Sequence, residues 1–333
     1  MRINRLLASG AAVAATAFVY VAPAVDAKTL SVVSGLPRNH DQIETYFRDF
    51  HQPVNAAKGA ITLQYKGGPE VTPRKQQGSF IKRGLIDLLI SPSSYYAGQV
   101  PESRVTAISN RSPWEIRADN NGMDRLSEGW MKGIGSRIIA WPFWGGSNFH
   151  IYLTNKPELS KKTGISLVGQ KMRATALYIP FLKAMGATPV VISPGDVYTA
   201  LQRGVVTGLA WPEGAVTKYG WQEYIKYRVG PGFWRSSTML VMNENKWQSL
   251  SKTEKDFMMK HALAFEKASG ETLRKIANAD NAKIFAAGVK AIELEGEYAK
   301  AWNATVNGST WDDAKKRKMT LSYDTIRKLL YKE

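Results

Sequence analysis

The stretch from Val168 to Glu213 constrains the fold more than any other, because its hydrophobic period switches repeatedly between that of a strand and that of a helix. Lys171 to Thr175 and Pro189 to Ser193 are short apolar or β-branched runs. Between them Ile179, Leu182 and Met185 recur at helical spacing, and Gly186 stops the helix. Pro194 and Asp196 open a second helix, where a ring-fixed φ and an acidic first turn suit the unpaired amides; Val197, Ala200 and Leu201 form its inner face. Gly204 closes it, and Val205 to Trp211 runs extended. Consecutive strand-helix-strand units of this kind predict an α/β protein with parallel strands and helices packed on the sheet.

In an open parallel sheet the ligand crevice lies outside the carboxyl ends of the strands, so Arg173 and Trp211 face one cleft in this reading. A guanidinium there suits a carboxylate, because it stays charged and offers a planar fork to two oxygens, as lysine cannot. The alternative is a surface arginine or one paired with a local Asp or Glu.

The amino-terminal half repeats the logic. Thr29 to Ser34 and Ile61 to Tyr65 read as strands, with a helix between them that turns Ile43, Tyr46, Phe47 and Phe50 inward. His40 and Asp41 lead into that helix. A helix from about Pro73 to Arg83 and a strand from Leu85 to Ile90 follow. Ser91 to Tyr96 then sits past a strand's carboxyl end, where Ser93 and Tyr95 are candidates for a polar ligand, the alternative being an ordinary turn. Ser112 to Gly135 reads as helical and Arg137 to Phe143 as a strand. Trp141, Phe143, Trp144, Asn148 and Phe149 crowd around glycines, as a pocket wall or as core.

Asn148 to Thr154 is a strand expected to cross between lobes, Glu213 to Tyr224 a helix, and Tyr227 to Phe233 extended. Ser237 to Asn243 is a buried strand returning to the first lobe. Ser251 and Glu254 form a capping box that opens a long helix to about Ala287, with Phe257, Leu263, Phe265, Leu273, Ile276 and Phe285 on its inner side.

Composition removes several function classes. The chain has no cysteine, which excludes disulfides and thiolate chemistry. Arg2 and Arg5 precede an alanine-rich run from Leu6 to Val21 and small-residue sites ending at Ala27, the pattern of a secretory signal peptide cleaved near Ala27. The net charge of +17 calls for an anionic partner, yet the basic residues are scattered, and export argues against nucleic acid. No nucleophile elbow, zinc-protease, dinucleotide or phosphate-loop motif is present, and His40, His51, His150 and His261 are dispersed. No enzyme, cofactor or metal is expected; a hydrolase or lyase with a nonsequential site is the rival from another class. Glu70 and Glu213 read as solvated carboxylates, with calcium coordination the lesser alternative.

Lys171 to Arg173 (K-M-R), Gly186 to Pro189 (G-A-T-P) and Asp196 to Val206 (D-V-Y-T-A-L-Q-R-G-V-V) resemble the periplasmic solute-binding subunits of TRAP transporters, the dicarboxylate-binding type. The likeness spans nearly the whole exported chain and is strongest from about Asn148 to Leu250. It implies a two-lobe, type II-like periplasmic binding fold, each lobe a mixed sheet flanked by helices, with a long helix bracing both. The expected division is 28–148 with 237–280 for one lobe and 149–236 with 281–333 for the other, after a signal peptide at 1–27.

The resemblance makes Arg173 the carboxylate clamp, places the protein in the periplasm and implies delivery to a membrane permease of a small and a large subunit, driven by an ion gradient. The expected ligand contacts are Arg173, Trp211, His150, Phe149, Asn148, Tyr178, Ser93 and Tyr95. This chain departs from the family pattern at Thr207 (commonly aspartate), Trp211 (often asparagine) and His150 (often a second arginine). Each change removes a charge or amide, so the expected ligand is a monocarboxylate with an apolar or aromatic body. A C4 dicarboxylate or sugar acid, with protonated His150 as second clamp, is the alternative.

Overall fold

The computed structural model describes residues 27–332, so the expected signal peptide, up to Asp26, lies outside the described residues. In chain order the strands are β1 (Lys28–Ser34), β2 (Ile61–Gly67), β3 (Leu88–Pro92), β4 (Ser136–Ala140), β5 (Asn148–Leu153), β6 (Glu158–Ser160), β7 (Gly164–Ser166) and β8 (Lys171–Ala174). There follow β9 (Thr188–Val191), β10 (Gly208–Pro212), β11 (Tyr227–Arg235), β12 (Thr238–Asn243) and β13 (Lys290–Glu293).

They form two mixed sheets and a small hairpin, the two-lobe α/β architecture expected from the resemblance. The first sheet has the order β2-β1-β3-β12-β4 and the second β13-β11-β5-β10-β8-β9. In the first, β1 lies parallel to β2 and β3, and β12 runs antiparallel to β3 and β4. In the second, β8 lies parallel to β9 and β10, and β5 runs antiparallel to β10 and β11. Strands covered on both faces read as continuous apolar runs: Leu88, Leu89 and Ile90 of β3 are all buried, as is every residue of β12. That is why Ser237 to Asn243 was legible as an inner strand although its partners come from the far end of the sequence.

The two strand-helix units of the opening stretch form as their spacing predicts. Helix Ile179–Ala184 joins β8 to β9 and ends where Gly186 takes φ +89°; helix Val197–Gln202 joins β9 to β10 and ends at Gly204, φ +65°. Glycine tolerates that left-handed conformation without a Cβ clash.

Elsewhere the structure corrects the sequence reading. Ser112 to Gly135 is two helices, Pro113–Ala118 and Gly122–Ile134, because Asn120 and Asn121 both adopt positive φ. Leu85 is exposed, and β3 starts only at Leu88. Glu213 to Tyr224 is a run of turns with only a short 3-10 helix, Trp221–Glu223. Gly214 and Ala215 have positive φ, and the Val216 and Thr217 amides donate to the Asp280 carboxylate instead of to helical carbonyls.

The long helix, Lys252–Ala286, opens on the expected capping box of Ser251 and Glu254. Its inner face is rotated from the expected one. Phe265 and Leu273 are buried as anticipated, but Leu263 and Phe285 are exposed, and the buried stripe is completed by Met258, Ala262, Glu266, Ser269, Gly270, Ala277, Asp280 and Ile284. Small residues let the helix approach backbone closely, and the polar ones serve amides that leave the sheets. Glu266 Oε2 accepts from Trp141 N at 2.8 Å and Ser269 Oγ from Phe143 N at 2.9 Å. Those bonds end the strand at Ala140, so Trp141 to Phe143 belongs to the helix-bound crossing and not to β4. The last helix, Tyr323–Leu330, returns to the first sheet's side, where Ser109 Oγ donates to Leu330 O at 2.7 Å.

A Cβ on Gly270 would lie 2.1 Å from Trp144 O, whereas one on Gly308, in helix Gly296–Lys315, would meet nothing. Gly308→Ala should therefore stabilise the protein by about 0.5–1 kcal/mol through helix propensity, and Gly270→Ala should destabilise it by about 1–3 kcal/mol through overpacking. Urea unfolding of the two variants checks both signs; equal shifts in the same direction would refute the close approach.

Candidate functional site

The carboxyl ends of β1, β3, β8 and β10 and the amino ends of the antiparallel β5 and β12 converge between the sheets around a cavity of about 40 Å³. This is several times the roughly 10–15 Å³ that one water needs. Each strand end supplies part of the wall. Leu36, His40 and Gln42 follow β1, Ser94 and Tyr95 follow β3, and Arg173, Thr175, Leu177 and Tyr178 come from the end of β8 and the turn beyond it. Phe149 opens β5, Trp211 and Pro212 close β10, and Ser236, Ser237 and Thr238 enter β12.

Arg173 is 0% exposed. Its Nε donates to Ile192 O at 3.0 Å, which fixes the plane of the fork, while Nη1 and Nη2 meet no acceptor in good hydrogen-bond geometry among the described residues, the Tyr178 hydroxyl adding only a weak favourable contact. Trp211 lies beneath the guanidinium, with 5.2 Å from Cζ to the ring centroid, a cation–π contact. Burial pulls the Arg173 pKa down, and the nearby Tyr178 and Tyr95 hydroxyls push it back up. From so high a starting value the group stays cationic. Among the residues lining the cavity it is the one that carries a permanent charge.

The apolar wall is aromatic. Phe149 meets Tyr178 edge-on at 5.9 Å between centroids, and Trp234 packs on both at 6.0 Å. Trp211 is held by its own Nε1, which donates to Gly214 O at 3.2 Å. Contacts between the lobes flank the cavity: Lys218, beyond β10, pairs with Asp41 and, at 2.7 Å, with Glu44, and Arg104 Nη1 donates to Ala176 O at 3.3 Å.

Of the eight residues expected to contact ligand, the structure brings Arg173, Trp211, Phe149, Tyr178 and Tyr95 to the cavity wall and places His150, Asn148 and Ser93 away from it. Ser93 turns into the first lobe, with Oγ 2.9 Å from Thr106 Oγ1, and its neighbour Ser94 faces the cavity instead. Asn148 accepts from Arg235 Nη1 at 2.8 Å. His150 has Nδ1 3.1 Å from Val229 O and Nε2 3.4 Å from Glu213 Oε1.

Glu213 is likewise not solvated. Its carboxylate accepts from Arg274 Nη1, Asn281 Nδ2 and Asn148 N, each at 3.0 Å, and Arg228 Nη1 lies at 3.7 Å. Burial alone would raise its pKa; hydrogen bonds from His150 and the Asn148 amide outweigh this and hold the carboxyl at about 2. His150 therefore serves a buried ionic knot that ties β5, β10 and β11 to the long helix. No group of three or more metal-ligating side chains occurs among the described residues.

Sequence reading missed His40, Gln42 and Ser236 to Thr238. His40 was legible in principle, since it follows β1 as Tyr95 follows β3. Ser236 and Ser237 carry no local signal; they reach the cavity because the chain changes sheets there.

A family model described as bacterial extracellular solute-binding protein, family 7 (DctP), matches residues 33–316. A protein of Albidiferax ferrireducens named solute-binding protein is 23% identical over 331 residues, covering 94% of each chain. A TRAP periplasmic solute-binding protein of Desulfovibrio salexigens, solved with bound orotic acid, has a TM-score of 0.76 at 18% identity, covering 90% of this chain and 97% of that one. Another from Rhodoferax ferrireducens, solved with bound malonate, has a TM-score of 0.74 at 21% identity, covering 90% of this chain and 96% of that one. At these identities the two structures establish the shared fold.

His40 is buried, and that burial, followed by the charge of Lys218, lowers its pKa from 6.5 to about 3. The unfolded chain thus takes up a proton as pH falls below 6.5 while the folded one does not until about 3, so stability contributed by the neutral ring is complete above 6.5 and lost on acidification. Glu213, depressed from 4.5 to about 2, adds a loss of the same sign between those values. The urea midpoint should fall progressively as pH drops from 6.5 to 3, and His40→Asn should flatten the portion between 6.5 and 5. A midpoint that rises on acidification would contradict this.

Proposed function

This chain belongs to the bacterial extracellular solute-binding protein family 7, and from that premise we propose that it captures a small organic acid between its lobes through an arginine–carboxylate clamp. The observation that carries the reading is Arg173: a fully buried guanidinium on a cavity wall whose two Nη groups meet no acceptor in good hydrogen-bond geometry among the described residues. Leaving such donors unpaired is costly, and a carboxylate offers two oxygens in matching geometry. In a dry cleft that charge pair is far stronger than in bulk water.

The acid we favour is a monocarboxylate with an apolar or aromatic body, which would lie against Trp211, Phe149 and Tyr178. The orotic acid held by the Desulfovibrio salexigens protein is a ring monocarboxylate, which supports the choice; the malonate of the Rhodoferax ferrireducens protein and the D-glucuronate of a Chromohalobacter salexigens one keep a dicarboxylate or sugar acid as the alternative. That alternative asks for a second cationic clamp, and His150, the candidate for it, is engaged with Glu213 and Val229 O. The lobes would close around the acid by a hinge and deliver it, outside the cytoplasm, to a TRAP-type permease of a small and a large subunit. The family is one of receptors, and the acid would leave unchanged.

Arg173→Ala should weaken binding of the preferred acid by at least ~30-fold, the lower end of the cost of truncating one partner of a buried charge pair. Calorimetry with undiminished affinity in the variant would refute the clamp. A thermal-shift panel of aromatic acids, keto acids, dicarboxylates and uronates ranks the ligand classes, because a tight ligand raises the melting temperature by mass action. Stabilisation by dicarboxylates or uronates alone would sink the apolar-body reading, and turnover of any of these acids by pure protein would sink the receptor reading.

A further inference from the structure

We infer that His40 is a specificity-determining residue of this cavity, fixed as a neutral Nε2–H donor, and that it selects monoanions bearing an uncharged oxygen acceptor over dianions. The inference rests on Arg173 being the carboxylate clamp and deepens that reading.

The tautomer follows from the fold. His40 caps helix Asp41–Tyr46, and its Nδ1 accepts the Gln42 backbone N–H at 3.1 Å. An atom that accepts from an N–H bears a lone pair, so the ring proton sits on Nε2. Protonating Nδ1 would break the cap and set an N–H against an N–H. The helix terminus therefore keeps this imidazole uncharged and leaves its remaining nitrogen as a donor.

Position and chemistry put that donor to use. The ring lines the same cavity as Arg173 and meets Trp211 edge-on at 6.2 Å between centroids, while the guanidinium stacks over that indole. Nε2 has no hydrogen-bond partner among the described residues, where the ring's one bond is that of Nδ1. Other nitrogen donors in the wall are committed: Gln42 Nε2 donates to Ser236 Oγ at 3.2 Å, and Trp211 Nε1 to Gly214 O. Gln42 Oε1 is taken by Thr238 Oγ1 at 2.6 Å. The wall thus presents one cation, one neutral imidazole donor and hydroxyls that can turn either way. A monoanion is neutralised there, and an acceptor on its body meets a donor. A second carboxylate would be buried with no second cation on the cavity wall, because Arg74 stacks behind Tyr95 and Lys218 is paired with Asp41 and Glu44; that burial is expensive.

The test compares five acids by calorimetry on the full exported chain: 3-phenylpropanoate as the unadorned reference, phenylpyruvate, 3-benzoylpropanoate and 3-(4-hydroxyphenyl)propanoate as monoanions with an oxygen at different places, and phenylsuccinate as the dianion. At least one oxygenated monoanion should bind more tightly than the reference, and phenylsuccinate at least roughly tenfold more weakly than the best of them. His40→Asn keeps a cap acceptor for Gln42 N in its Oδ1 and withdraws the donor from the Nε2 position, since the shorter Nδ2 amide stands nearer the backbone. In it the preference for that oxygenated acid over the reference should shrink by roughly three- to tenfold, the net worth of one neutral hydrogen bond.

An unchanged preference in His40→Asn that melts like wild type, no preference among the monoanions in the wild type, or phenylsuccinate binding as tightly as the monoanions would each overturn the role of His40. The comparison of acids needs no variant, so a His40→Asn chain that fails to fold leaves the inference exposed to refutation. Arg173→Ala separates the two readings: if it binds these acids as tightly as wild type, the clamp fails first. Failure of all five to bind the wild type would overturn both.

Discussion

A guanidinium buried with only one of its nitrogens satisfied is the constraint around which this molecule is arranged. Taking a charge out of water is unfavourable by several kcal/mol even after relaxation, and an internal carboxylate is the common remedy. Among the described residues none is supplied to Arg173. Its Nε is pinned to Ile192 O, its face is covered by Trp211, and the charge is left directed at a space walled by aromatic rings and hydroxyls. Three buried acids are placed elsewhere, Glu213 against His150, Arg228 and Arg274, Glu266 against Arg117, and Asp280 against the amides of Val216 and Thr217, while Asp41, beside the cavity, is paired with Lys218. With no acid in its lining, the cavity takes the sign of Arg173.

Those acids do structural work of a consistent kind. Each sits where the main chain leaves a sheet and its amides would otherwise be unpaired. Glu266 and Ser269 receive Trp141 and Phe143, and Asp280 receives the turn after β10. The long helix is therefore less a greasy brace than a row of acceptors spaced at its turns, with Gly270 and Ala277 set between them so that the crossing segments can lie close.

The periodicity of Val168 to Glu213 disclosed the strand and helix order of the second sheet, and the rule about carboxyl ends located Arg173, Trp211 and Tyr95 on the cavity. What escaped was of two sorts. Polar residues that satisfy distant amides look solvent-exposed in a sequence, which is why the inner face of the long helix was drawn through Leu263 and Phe285 and not through Glu266 and Asp280. Backbone choices forced by tertiary partners were equally silent, as in the segment after Glu213, whose amides prefer the Asp280 carboxylate to a helix. His150 illustrates a third limit. Its strand position places it beside Trp211 in the ladder, yet a charged neighbour, not its distance along the chain, decides what its ring does.

The interleaving of the first sheet has a consequence for how this polypeptide comes to exist at all. Strand β12 lies between β3 and β4, so every later-made residue up to Asn243 must be available before the earlier-made ones can finish their hydrogen-bond ladder. Pairings of such wide sequence separation form slowly, because a long loop must close before any contact rewards it. A ribosome-bound fragment ending before Thr238 holds a sheet with two unmatched edges at its middle, and so stays unfinished. A chain that delays its own completion in this way remains threadable for most of its synthesis.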